Sequence, residues 1–166
     1  MKNALRSIFF SWDIIIAALV TVALYLFLPP LISANILKPI YEVSISVLAV
    51  IFSVFFAALA ILITAGDNEF VRFLEEEGLY IRIIFTFRVT LVLLFVALLF
   101  SIVSFVTILP FVETQTQFLY SKEQVLLFSF ISLYALLASI SSTMDAIKYA
   151  EFRAAYLGIT KDENKK

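Results

Sequence analysis

The chain has 166 residues, of which 63% are hydrophobic and 15% charged, with a formal net charge of -1. Soluble domains average about 45–50% apolar residues, and one this small has too little interior to hide the excess, so a purely soluble fold is excluded. A near-neutral balance also excludes a phosphate-neutralising nucleic-acid surface. The absence of Cys and His removes disulfides, thiolate nucleophiles, Fe–S and zinc-thiolate sites, axial His ligation of haem and the usual general base.

Four apolar runs are long enough to cross a hydrocarbon core of about 30 Å at about 1.5 Å per residue. They cover residues 8–28, 43–64, 83–109 and 125–144. None alternates in the manner of a barrel strand. The sequence therefore predicts an all-α fold: a polytopic four-transmembrane-helix bundle with short loops and helical cytoplasmic extensions. A single membrane domain is expected over residues 1–158, with a polar cytoplasmic tail at 159–166.

The first run follows Lys2 and Arg6, carries Asp13 near its start and stops at Pro29-Pro30. Its length and its internal carboxylate favour a retained span over a cleaved signal peptide. Residues 29–42 form a short apolar loop with a Lys38-Pro39 turn. In the second run Ala49, Ser53 and Ala57 recur every four residues, the spacing that lets helix backbones approach closely in lipid.

Residues 65–82 form a cytoplasmic segment in which Phe70, Phe73 and Leu74 make an apolar stripe ahead of Glu75, Glu76 and Glu77. A run of carboxylates on one helix cannot converge on one ion, so it is read as a solvated acidic face or a docking surface. The third run contains Arg88 and stops at Pro110, and residues 110–124 make a short polar outer loop. The fourth repeats the small-residue spacing at Ala138, Ser142 and Ala146, while Ser129, Ser132 and Ser139 approximate one face that could line a pore. Beyond it, Arg153 and Tyr156 belong to an interfacial extension able to meet a partner.

Orientation follows from the cations. Ten of the 12 Lys and Arg residues flank one side and only Lys38 and Lys122 the other, which predicts both termini and the middle segment in the cytoplasm. That pattern places the chain as a multi-pass protein of a plasma or bacterial inner membrane. Asp13, Arg88 and Asp145 then lie at similar depth near the inner face. A charge inside a membrane is normally paired, so Arg88 is expected to pair with one of the two carboxylates as an inter-helix staple.

No phosphate loop, dinucleotide fingerprint, nucleophile elbow or metalloprotease helix occurs. No cofactor and no metal site are expected. The sequence points to a non-enzymatic membrane subunit that contacts the lipid bilayer and forms a homo-oligomer, docks a cytoplasmic protein, or does both. An oligomeric pore or membrane-perturbing effector is the second reading. A small ion-coupled transporter is the third, weakened by the lack of an inverted repeat or a helix broken at mid-membrane.

Overall fold

A computed structural model describes residues 12–64, 79–113 and 119–163. The order is α1 (Trp12–Phe27), β1 (Leu31–Ser33), α2 (Ala34–Thr64), α3 (Leu79–Glu113), β2 (Leu119–Ser121) and α4 (Lys122–Glu163). Helix dominates, as the continuous apolar runs predict. In lipid it is the open-chain structure that satisfies every backbone group internally.

Among the described residues three stretches are long and apolar enough to cross a membrane: Ala34–Ile61, Ile81–Val112 and Lys122–Glu151. The described part of α1 has 16 residues, about 24 Å of rise, and the first residues of the expected 8–28 span lie outside the described ones. The expected stripe and acidic run at Phe70, Phe73, Glu75, Glu76 and Glu77 also lie outside them. Arg153 and Tyr156 fall within α4.

Helix ends differ from expectation at the prolines. α1 closes on a Leu28 N–H to Leu24 carbonyl bond of 2.9 Å immediately before Pro29-Pro30, as predicted. α2, however, begins nine residues before the expected Val43 and carries Pro39 inside it, and α3 continues through Pro110 to Glu113. A proline removes one backbone donor. Pro39 is the sixth residue of α2 and Pro110 the fourth from the end of α3, so the carbonyls left without that donor, of Asn35 and Val106, lie toward the helix ends and the middle of each span stays continuous. α4 likewise extends to Glu163, beyond the expected start of the tail.

The main packing runs α2 on α3, α3 on α4 and α4 on α1, with only a light contact between α2 and α4. The buried positions recur every seven residues: Ala34, Tyr41, Leu48 and Phe55 on α2; Phe87, Leu94, Ser101 and Ile108 on α3; Phe128, Ala135, Ser142 and Tyr149 on α4. This is the spacing of left-handed knobs-into-holes packing. One core cluster centres on Leu48, Phe55, Phe87 and Leu94. Another joins Ile32, Tyr41, Ile108 and Phe128, where the Tyr41 and Phe128 rings meet edge to face at 4.6 Å.

The two loops at that second cluster are bound together. β1 and β2 pair antiparallel, Leu31 opposite Ser121, Ile32 opposite Tyr120 and Ser33 opposite Leu119. The Lys122 N–H donates to the Pro30 carbonyl at 3.2 Å, and the Lys122 ammonium lies 3.8 Å from the Tyr25 ring centroid. The Tyr120 hydroxyl donates to the Thr107 carbonyl at 3.2 Å. This clasp ties the end of α1, the start of α2 and the junction of α3 with α4.

The register is directly testable because the chain lacks native Cys. In an oxidised Leu31→Cys/Ser121→Cys variant the two thiols should cross-link. A Ser33→Cys/Ser121→Cys variant should not, since diagonal cross-strand neighbours lie about 7–8 Å apart and a disulfide needs Cβ atoms about 3.5–4.5 Å apart. Cross-linking of the second pair in preference to the first, scored by gel mobility, would show a different register.

Candidate functional site: a polar layer between three helices

Two neighbouring serines of α4 reach two different helices. Adjacent residues on a helix point about 100° apart, so Ser141 faces α1 while Ser142 faces α3. The Ser141 hydroxyl donates to Asp13 Oδ1 at 2.7 Å, a short charge-assisted bond. Ser142 Oγ and Thr90 Oγ1 lie 2.6 Å apart. Ser142 is 0% and Thr90 2% exposed, so that pair is sealed from the surroundings.

The layer lies at the end of the bundle away from the clasp. Twenty residues separate Ser121 from Ser141, about 30 Å at ~1.5 Å per residue. Asp145, half-buried, follows one turn after Ser141 on the same side of α4. Asp13 is likewise half-buried, beside an exposed Trp12.

Arg88 does not join them. Among the described residues no ion pair links it to Asp13 or Asp145; the ion pair seen there is Lys38 with Glu42 at 3.9 Å, on the surface. The reason is helical phase. Phe87, Thr90, Leu91 and Leu94 form the buried side of α3, and Arg88, two residues before Thr90, is turned about 200° from it. Its side chain is exposed, over a groove lined by Phe85, Val89, Val92 and Leu93. The α4 hydroxyls stand where the expected staple would have stood.

The small-residue faces separate clearly. On α4, Ala138 and Ser142 are buried and Ala146 half-buried, so this stripe packs within the chain. On α2, Ala49 is half-buried while Ser53 and Ala57 are exposed. The Ser53 hydroxyl is turned back onto the Ala49 carbonyl at 2.8 Å, which leaves a smooth surface with its polar group satisfied. Of the serines named as pore-facing, Ser132 and Ser139 are buried and Ser129 half-buried. Ser139 donates to the Leu136 carbonyl at 2.7 Å, whereas Ser132 Oγ has no hydrogen-bond partner among the described residues.

Thr90 and Ser101 escape sequence reasoning of this kind. Their signal is the recurrence of small or hydroxylated residues at Thr90, Ala97, Ser101 and Ser104 on an otherwise bulky helix. Such residues gather where helices touch in lipid. Ser101 is 0% exposed and donates to the Ala97 carbonyl at 2.9 Å. The chemistry this layer offers is hydrogen bonding between helices. Comparison with known protein families, with curated proteins and with solved structures finds no match to this chain, so its function is read from its own geometry.

Proposed function

We infer that the protein is a non-enzymatic four-span membrane subunit with both ends in the cytoplasm. It assembles with copies of itself through the outward side of α2, and the long end of α4 is available to a cytoplasmic partner. The observation that carries this reading is the exposure of Ser53 and Ala57. They sit on the side of α2 away from α3, together with Ser46, which is exposed one heptad before Ser53 and satisfied on the Glu42 carbonyl at 3.0 Å. In lipid a helix gains nothing by hiding apolar residues, so small residues on an open side favour close approach of a second helix. The stripe on α4 with the same spacing is already used internally.

Cross-linking in native membranes tests the assembly. Wild type should yield dimers or larger closed species, and Ser53→Leu with Ala57→Leu should shift them to monomer, while Val47→Leu, exposed on α2 but turned about 100° from Ser46, should not. Wild type that migrates only as monomer would sink self-association. The orientation is tested in parallel: a reporter fused after Lys166 should read cytoplasmic and one inserted after Thr116 external. If a closed ring forms, ion flux through liposomes containing it separates a pore from a scaffold.

A further inference from the structure

Arg88 poses a problem that the hydroxyl layer does not solve. It is a permanent cation on a membrane-spanning helix, turned outward from the bundle. Its depth can be read from the clasp. Open strand edges are not tolerated in hydrocarbon, so β1 and β2 mark one boundary of the membrane, and the Thr107 carbonyl lies at their level because it accepts the Tyr120 hydroxyl. Nineteen residues separate Thr107 from Arg88, about 28 Å along the helix. That is close to the ~30 Å hydrocarbon thickness, which puts the guanidinium at the opposite headgroup boundary.

From there an apolar channel leads back toward the membrane centre. A groove of about 250 Å³ lies beside Arg88, lined by Phe85, Val89, Val92 and Leu93. A second, of about 240 Å³, lies between Phe52 and Phe56 of α2 and Leu91, Val92 and Phe95 of α3. The two share Val92. Arg88, Val92 and Phe95 stand at i, i+4 and i+7, so charge and grooves follow one stripe of α3. The sequence of features is a cation at the headgroup level followed by an apolar trough pointing to the midplane.

We propose that this stripe is a binding site for a phospholipid with a net anionic headgroup, its phosphate on Arg88 and an acyl chain along the grooves at Val92. A guanidinium offers two parallel N–H donors to phosphate oxygens. The polarity also matches a lipid of the leaflet at that end, head outward and tail inward. Arg88 has no carboxylate partner among the described residues, so its charge is available.

The test compares lipid retained by the purified protein from nanodiscs of mixed phosphatidylglycerol and phosphatidylcholine, read by native mass spectrometry. Wild type should retain phosphatidylglycerol about fivefold over phosphatidylcholine, the selectivity of one cation at a headgroup. Arg88→Gln should abolish the preference and Arg88→Lys keep part of it. Val92→Trp, which fills the junction of the grooves, should lower retention of both lipids. Arg82→Gln, exposed at the same end but on another side of the helix, should leave the preference intact. Equal losses for Arg82→Gln and Arg88→Gln would reduce the effect to diffuse charge and overturn the site. So would an unchanged preference in Arg88→Gln accompanied by loss of cross-linked oligomer, which would assign Arg88 to a carboxylate of a second copy. Thermal unfolding of each variant guards against misfolding, and retention is compared only among variants whose melting matches wild type.

Discussion

Ser142→Leu is expected to cost about 3 kcal/mol of stability, at the upper end of what overpacking a buried site usually costs. Ser142 has no exposed surface, and the two additional heavy atoms of a branched leucine side chain have nowhere to go between α3 and α4. The hydrogen bond to Thr90 is the smaller loss. Inter-helix bonds in membranes average about 0.6 kcal/mol, and Thr90 can turn its hydroxyl back to a carbonyl of its own helix. Ser142→Ala should therefore cost well under half as much as Ser142→Leu. Equilibrium unfolding in mixed micelles, followed by helix content, distinguishes the two effects. Equal costs would mean that the hydrogen bond, and not close approach, holds α3 to α4.

The second large effect is expected at the junction of α1 with α4. Ser141→Ala should destabilise by about 1.5 kcal/mol, the lower range for a hydrogen bond to a charged group, because the Asp13 carboxylate keeps its charge while losing the Ser141 donor. Asp13→Asn should cost less, since an amide is easier to hold in a half-buried place than a carboxylate short of a donor. The double variant should cost less than the sum of the two, with a coupling of at least about 0.5 kcal/mol for residues in direct contact. Strict additivity would show that the 2.7 Å contact carries no energy of its own.

The helices were legible in the sequence because length and hydropathy alone define them, and the end of α1 falls where Pro29-Pro30 begins. Rotation of the helices was not legible to the same degree. In a soluble bundle a polar outside marks the inside by contrast. Here the outside is as apolar as the core, so Phe87, which is buried, and Phe95, which is exposed, look alike in the sequence. Arg88 accordingly reads in the sequence as a partner for Asp13 or Asp145, because the two-residue offset from Thr90 that turns it outward leaves no mark in the hydropathy. The clasp was hidden for a different reason. Three-residue strands carry too few residues for a period-two pattern, and Leu31-Ile32-Ser33 reads as apolar loop until its partner near Tyr120 is brought beside it. The small residues of α4 were the exception, since close packing in lipid has a compositional mark.

The pairing of α1 with α4 also sets a timetable for synthesis. α1 is made first, yet its main packing partner is the last helix, and the serine that donates to Asp13 is 128 residues away. At roughly 5–20 residues per second, about 6–25 s pass between the synthesis of the carboxylate and that of its donor. During that interval α1 has no α4 to pack against and Asp13 lacks the Ser141 donor, while α2 and α3 can already settle against each other. The first helix is thus the last to find its place, and the nascent chain spends its longest vulnerable period with that helix waiting for its main partner.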